Sequence, residues 1–203
     1  MRANVYVDGF NLYYGLRSTP YRWLDVAALC RRLLPEDTIH RIRYYTAKVR
    51  ARPNDPDQLT RQAIHWRALR TIPSLSIHEG HFLSHAVLMP LAENPSKKVK
   101  VIKTEEKGSD VNIAAHLLRD GYAGEYEVAI LITNDSDLLE PIRIVREELR
   151  KPVGILNPQK HPSWVLKQQA TFFKSIRPSA LAQSQFPARI TDADGSFRKP
   201  HRW

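Results

Sequence analysis

The sequence predicts an α/β fold with a mostly parallel central sheet. Short β-branched segments alternate along the chain with longer segments of helical periodicity, which is the pattern of strand–helix–strand units. The predicted strand over residues 127–133 contains a continuous apolar run at 128–132, as expected for a central parallel strand that is buried on both faces. Hydrophobic residues make up 42% of the 203-residue chain, which is enough for a real core.

The predicted strands are short and rich in apolar and β-branched residues. They cover residues 3–8, 38–49, 75–83, 97–104, 127–133 and 151–156. A polar loop is expected between the third and fourth strands. Gly9 is expected to make a turn directly after the first strand.

The predicted helices repeat apolar residues every three to four positions. They cover residues 23–34, 55–72, 109–122, 137–150 and 163–176. The helix over 109–122 has its expected buried stripe at Val111, Ala114, Ala115 and Leu118. Ser109 is its expected N-cap, and Gly121 is expected to stop it.

The chain is expected to form one domain over residues 1–177. From about Phe186 it turns polar, and residues 178–203 are predicted to be a basic, mobile tail. A single cysteine, Cys30, excludes an internal disulfide and fits a reducing, cytoplasmic location. No apolar run approaches a membrane span, so no membrane partner is expected, while a homo-oligomer is compatible with the sequence.

The net charge of +10 favours a polyanionic partner, above all a nucleic acid. Dense basic stretches lie at residues 40–53 and 97–103. In the first, cations stand beside two aromatic residues; these are Arg41, Arg43, Lys48, Arg50 and Arg52, with Tyr44 and Tyr45. Such interleaving suits single-stranded RNA, with its phosphates and stackable bases. An ordinary solvated strand edge is the alternative.

Carboxylates stand where the predicted elements end or begin. Asp8 closes the first strand, Asp135 and Asp137 follow the strand over 127–133, and Asp110 opens a helix. Because ligands bind at the carboxyl ends of parallel strands, we expect these acids to share one pocket. Two carboxylates about 4 Å apart repel by roughly 4 kcal/mol at an effective dielectric near 20, and a divalent cation relieves that repulsion.

Each acid also has a simple structural interpretation. Asp110 suits the start of a helix through the macrodipole. Asp135 can be an N-cap with Asp137 in the first turn, and Asp8 can be a turn residue. The metal interpretation depends on all of them meeting in the fold. Mg²⁺ or Mn²⁺ held there would polarise a phosphodiester and lower the pKa of an attacking water.

Three motifs resemble the signature blocks of the NYN domain family, a PIN-like, Mg²⁺-dependent ribonuclease superfamily. They are VYVDGFNLYYGL (5–16), EEKGSDVNIAAHLL (105–118) and ILITNDSDLLEPI (130–142). The blocks occur in the family's order, the likeness runs from about residue 3 to 157, and the LabA-like bacterial branch resembles them most. The resemblance implies a PIN-like three-layer α/β/α sandwich over residues 1–177.

The resemblance also implies roles for individual residues. The metal ligands would be Asp8, Asp110, Asp135 and Asp137, with Glu106 as a weaker fifth acid. Asn11 and Thr133 would position the attacking water. The substrate contacts would include Lys107 and Ser136. Independently of the resemblance, the basic stretch at 40–53 predicts RNA contacts by Arg43, Lys48 and Arg50. Asn134 stands where the family has glycine, and we expect the turn to survive because asparagine tolerates positive φ.

The predicted function is metal-dependent, endonucleolytic hydrolysis of RNA with Mg²⁺ or Mn²⁺. One alternative is a catalytically inactive RNA-binding or regulatory module on the same fold. A second is a metal enzyme that acts on a small molecule. The complete set of acids favours the nuclease, and the basic charge disfavours the small substrate.

Overall fold

The computed structural model describes residues 1–51, 54–201 and 203. Seven strands form the central sheet: β1 (Arg2–Asp8), β2 (Thr38–Ala47), β3 (Leu75–Pro90), β4 (Lys98–Lys107), β5 (Val128–Ile132), β6 (Val153–Asn157) and β7 (Phe172–Ser175). Their spatial order is β4-β3-β2-β1-β5-β6-β7. All neighbours are parallel except β3 and β4. The predicted α/β fold with a mostly parallel sheet is confirmed.

Helices cover both faces of this sheet. They are α1 (Gly9–Leu16), α2 (Val26–Leu33), α3 (Gln58–Arg70), α4 (Ser109–Tyr122), α5 (Leu139–Glu147), α6 (Trp164–Gln169) and α7 (Pro178–Ala182). Side chains of α1, α2, α3 and α7 share one core with Val5 and Val7 of β1. Side chains of α4, α5 and α6 share the other core with Tyr6. Because neighbouring strand residues point to opposite faces, the result is a three-layer α/β/α sandwich.

The sheet has its topological switch point between β1 and β5. The chain runs from β1 outward through β2, β3 and β4, and then returns through α4 to β5 on the other side of β1. In the β1–β5 register, Val7 lies beside Ile132. The residues that follow, Asp8 and Thr133, therefore emerge together at the carboxyl edge, where open α/β sheets bind ligands.

Several predicted boundaries are wrong. β3 extends to Pro90, so the expected polar loop shrinks to residues 91–97. Residues 172–175 form an edge strand rather than the end of a helix. Gly9 opens α1 instead of making a turn. In each case tertiary pairing or packing overrides the local pattern.

The buried face of α4 is also different from the prediction. Ile113 and Leu117 are buried, whereas Val111 is 73% exposed. Two overlapping stripes satisfy helical spacing, and the one with the larger side chains faces the sheet. Gly108 rather than Ser109 is the N-cap. Gly121 lies inside the helix, where a Cβ would come within 2.6 Å of the Tyr126 hydroxyl.

Residues 178–201 are packed against the domain, where the sequence predicts a mobile tail. They contain α7 and a two-stranded hairpin, β8 (Arg189–Asp192) and β9 (Gly195–Arg198). Leu181, Phe186 and Ile190 are buried in the core that contains Val5. These three apolar side chains, scattered among polar ones, find partners only in the folded molecule. None of the helices in the described ranges combines the length and apolar character that a bilayer crossing requires.

Candidate functional site

Three carboxylates from distant segments meet at the carboxyl edge of the sheet. Asp8 ends β1, Asp110 lies in the first turn of α4, and Asp135 follows β5. One oxygen of each lies within 4.8 Å of the others. Asp8 is buried, Asp135 is half-buried and Asp110 is exposed. We call these three residues the acid triad.

Local structure fixes Asp8 at the base of the triad. One carboxylate oxygen accepts a hydrogen bond from the Asn11 backbone N–H at 2.9 Å, so Asp8 caps α1. The other oxygen accepts one from the Thr133 hydroxyl at 3.2 Å. Gly9 permits this sharp entry into the helix, because a Cβ there would lie 2.5 Å from the Tyr45 carbonyl oxygen. Asp8 is thereby held by groups on both flanking segments.

The triad concentrates negative charge in a partly desolvated place. Burial raises the pKa of Asp8 to about 6, and the charges of Asp110 and Asp135 add to the rise. Hydrogen bonds from Asn11 and Thr133 oppose that rise. Burial likewise raises the pKa of Asp110, with help from Asp135, Glu106 and Asp137. The three carboxylates offer only oxygen donors, and burial and mutual repulsion disfavour their ionised forms. Such a set of ligands fits a hard divalent cation such as Mg²⁺ or Mn²⁺.

Thr133 and Asn11 tie the segments of the site together. The Thr133 hydroxyl donates to Asp8 and accepts from the Asp135 backbone N–H at 3.1 Å. The Asn11 side-chain oxygen accepts from the Asn134 backbone N–H at 3.1 Å. Both residues thus bridge β1–α1 and the loop after β5, and their role in positioning a water stays a prediction. Their hydrogen bonds set the spacing between Asp8 and Asp135.

Asn134, which stands where the family has glycine, does not have a positive φ. Among the described residues, Arg150 is the one non-glycine residue with a positive φ. The Asn134 side chain donates to the His161 carbonyl at 3.0 Å and accepts from the Ser163 backbone N–H at 2.6 Å. The expectation of positive φ here is wrong. Asparagine serves this position through its side-chain hydrogen bonds to the loop before α6.

The remaining predicted residues surround the triad. Asp137 lies outside the triad, is exposed, and donates its backbone N–H to Asp135 at 3.0 Å. Glu106 accepts from the Ser109 hydroxyl at 3.0 Å and so secures the start of α4. Lys107 is exposed with its ammonium 3.5 Å from a Glu105 oxygen, and Ser136 is exposed. Substrate contact by Lys107 and Ser136 stays a prediction.

The comparison with known families agrees with this geometry. A family model described as the NYN domain matches residues 2–177, which is most of the chain. The chain belongs to the NYN domain family. That family is a PIN-like ribonuclease family, so the fold and the position of the acid triad agree with family membership.

Two individual proteins resemble this NYN domain. One is a Pseudomonas putida protein named 6-hydroxy-3-succinoylpyridine 3-monooxygenase HspA, which is 28% identical. The match covers 100% of this chain and 75% of that protein. The other is the crystal structure of a protein of unknown function from Vibrio parahaemolyticus, with a TM-score of 0.61 and 16% identity. That match covers 91% of this chain and 96% of the other, and it shows the fold alone.

The prediction that Arg43 contacts RNA is wrong. Arg43 is 7% exposed, and its guanidinium donates to Asp120 at 2.9 and 3.1 Å. Asp120 is fully buried, and these bonds help to satisfy it. Arg43 is therefore a structural residue of the sheet and does not face a polymer. Lys48 and Arg50, beyond the carboxyl end of β2, are exposed, and Arg52 lies outside the described residues.

Sequence reasoning missed two features of the site. Gln159, just after β6, donates its side-chain amide to the Asn11 carbonyl at 2.7 Å. Its position at the carboxyl edge of a predicted strand was an available signal. An aromatic cavity that includes Gly9 and Phe10 in its wall was also missed. The residues of this cavity come from several elements, so no local sequence pattern predicts the cavity.

Proposed function

We propose that this NYN protein is a metal-dependent ribonuclease that hydrolyses RNA internally, with Mg²⁺ or Mn²⁺ held by Asp8, Asp110 and Asp135. The observation that carries the proposal is the meeting of three carboxylates, from three distant segments, at the switch point of an NYN fold. Asp137 is proposed as a fourth acid, since its charge already raises the pKa of Asp110.

The chain's own groups have defined tasks in this proposal. When bound, such an ion polarises a phosphodiester and lowers the pKa of a water that it coordinates. Asn11 and Thr133 hold the ionised Asp8 in place through their hydrogen bonds. Asp110 and Asp135 reach the surface, so a polymer can approach the triad without entering the core.

The charge of the protein supports RNA as the substrate. The net charge of +10 attracts a polyanion. We propose that Lys48, Arg50 and Lys107, which are exposed, contact phosphates, and that Ser136 lies at the rim of the site. Single-stranded RNA fits because an unpaired strand can lay one phosphate over the triad. A cytoplasmic location follows as part of the same proposal.

The test is cleavage of a labelled single-stranded RNA in Mg²⁺ or Mn²⁺. Asp135→Asn removes a charged ligand, so we expect the cleavage rate to fall by roughly 100-fold or more. EDTA should abolish cleavage by the wild type. Glu36→Gln is the control, since it removes an exposed acid just before β2, at the opposite edge of the sheet. Cleavage by Asp135→Asn at the wild-type rate would contradict the assignment of Asp135 as a metal ligand of a ribonuclease.

A second candidate function has specific support. The Pseudomonas relative, of which this chain covers 75%, is named for action on a substituted pyridine, and an aromatic cavity lies beside the acid triad. The triad would then serve a small heteroaromatic substrate. Salt separates the two candidates, because RNA affinity falls steeply with ionic strength and binding of a small neutral ring does not. An inactive RNA-binding module would still shift RNA on a gel in EDTA, with no cleavage in Mn²⁺.

A further inference from the structure

An aromatic cavity of about 180 Å³ lies beside the acid triad. Its wall includes seven aromatic rings, those of Phe10, Tyr13, Tyr14, Tyr44, Trp66, Phe82 and Trp203. Gly9, the residue after Asp8, is part of the same wall. The charge of Asp8 also contributes, after burial, to the raised pKa of the Tyr44 hydroxyl. The cavity and the triad are therefore neighbours at the start of α1.

The size and the aromatic wall of the cavity favour a small flat ligand. A cavity of about 150 Å³ lined by apolar side chains accommodates benzene, so this one has room for one six-membered ring with small substituents. Aromatic walls favour a planar ring through stacked and edge-to-face contacts. Phe10 and Phe82 already pair edge-to-face at 5.5 Å between ring centres.

One nitrogen of a buried imidazole in the wall lacks a hydrogen-bond partner among the described residues. His65 is 8% exposed, and its Nε2 has no hydrogen-bond partner among the described residues. Burial lowers the pKa of His65 to about 4, so the ring is neutral at pH 7. A hydrogen bond to the Leu24 backbone engages the ring, which leaves Nε2 as the acceptor. An unpaired buried nitrogen is costly. The Trp203 ring, also in the wall, lies 4.7 Å from the imidazole between ring centres, and its displacement would let a ligand N–H or O–H pair with Nε2.

The wall around His65 is held in place. The Gln62 side chain accepts from the Val49 backbone N–H at 2.9 Å and donates to the Ala47 carbonyl at 3.0 Å. These bonds tie α3 to the end of β2. The cavity is thus bounded by fixed elements, which lowers the entropic cost of binding a ligand.

We propose that this cavity binds a planar, six-membered nitrogen heterocycle that carries an N–H or O–H donor. Two sources share this chemistry, namely a pyrimidine base of an RNA whose phosphate lies at the triad, and a free hydroxylated pyridine. The first source rests on the proposed ribonuclease function. Occupation of the cavity by a ring does not depend on catalysis.

The experiment measures ring binding to the full chain in EDTA, where no cleavage takes place. Uridine and 2-hydroxypyridine are titrated separately and followed by saturation-transfer NMR and by quenching of tryptophan fluorescence. We expect at least one probe to bind. Tighter binding of uridine identifies the base of an RNA as the source, and tighter binding of 2-hydroxypyridine identifies a free heterocycle.

Variants show whether the cavity is the site. His65→Phe keeps a ring of similar size but removes Nε2, and it should weaken binding by about 10-fold, the equivalent of one hydrogen bond. His85→Phe makes the same replacement at an exposed position on β3 and should change nothing. Thermal unfolding checks that each variant folds. Phe82→Ala, on the partly exposed wall, should also weaken binding and serves if His65→Phe does not fold.

The proposal fails if neither probe binds the wild type, or if His65→Phe and Phe82→Ala bind as tightly as wild type. Either result leaves the ribonuclease assay untouched, because that assay reads cleavage and this one reads occupancy without metal. Conversely, a chain that does not cleave RNA can still bind the ring.

Discussion

At the scale of single residues, Asp8 combines a structural and a chemical task. It caps α1 and accepts from Thr133, yet burial and two neighbouring acids raise its pKa to about 6. The pKa of an unfolded aspartate is about 3.9. The folded chain therefore binds the Asp8 proton more tightly than the unfolded chain does. This stabilising contribution is fully present below pH 4 and is lost as the pH rises through about 6.

We therefore predict that Asp8→Asn stabilises the metal-free protein at high pH. At pH 8 the free energy of unfolding should rise by about 1–3 kcal/mol relative to wild type, since the ionised carboxylate is gone. At pH 4 the difference should be small. Urea unfolding in EDTA at both pH values measures this. Mn²⁺ should raise the Tm of the wild type and leave that of Asp8→Asn unchanged.

Glu36→Gln serves as the comparison at both pH values, because Glu36 is exposed and lies outside the triad. Equal stability of Asp8→Asn and wild type in EDTA at pH 8 would contradict the prediction. It would mean that Asp8 ionises in the fold at no cost.

Single residues also show what can be predicted from local sequence. Asp8, Asp110 and Asp135 were found because each stands at the end or start of an element, where parallel topology brings them together. Arg43 was misjudged because its partner, Asp120, lies 77 positions away. A charged side chain on a strand has the same local pattern whether it faces solvent or a buried carboxylate.

At the scale of elements, β3 and β4 form an arm that leaves the sheet. β3 pairs with β2 only over residues 75–80, and beyond Gly80 it pairs with β4 alone. Leu88 and Ile102 are strongly exposed, and none of residues 83–104, all of them described, is buried. The arm was predicted as two strands, but its length was not, because alternation continues through the segment expected to be a loop.

We predict that the arm can be shortened without loss of the fold. Ala86 lies opposite Ile102, so replacing residues 87–101 with Asn-Gly gives a two-residue hairpin turn. The free energy of unfolding should change by less than about 1 kcal/mol, because no buried side chain is removed. Affinity for Mn²⁺ should be unchanged. Urea unfolding and a Mn²⁺ titration measure both quantities.

Sedimentation of the full and shortened chains addresses the predicted homo-oligomer. A shortened chain that loses several kcal/mol, or that changes its oligomeric state, would show that the exposed apolar residues of the arm are covered in solution. In that case the arm contributes to assembly and cannot be removed freely.

At the scale of the whole molecule, the C-terminal segment completes the core. Leu181, Phe186 and Ile190 are buried beside α2, and Arg67 of α3 holds Asp192 through two hydrogen bonds of 2.7 and 2.6 Å. The Trp23 indole N–H donates to the Pro187 carbonyl at 2.9 Å. The segment packs on one face of the sandwich. It lies beyond the family match, which ends at residue 177.

We predict that deletion of residues 178–203 strongly destabilises the protein. Each of the three buried side chains contributes about 1.5–3 kcal/mol, and their sum is comparable with the roughly 5–15 kcal/mol that stabilises a typical domain. The truncated chain should be unfolded or should melt far below wild type. Phe186→Ala is the milder variant, with an expected loss of about 3–5 kcal/mol. A truncated chain with the wild-type Tm would show that the segment is dispensable.

The sequence by itself determined the alternation of strands and helices, the placement of aspartates at element ends, and the excess of positive charge. Tertiary structure decided which acids meet, which cations remain exposed, and that the C-terminal segment packs. The reason is physical. Periodicity and caps are properties of neighbouring residues, whereas desolvation, ion pairing and cavities arise between residues that are distant in the chain and adjacent only after folding.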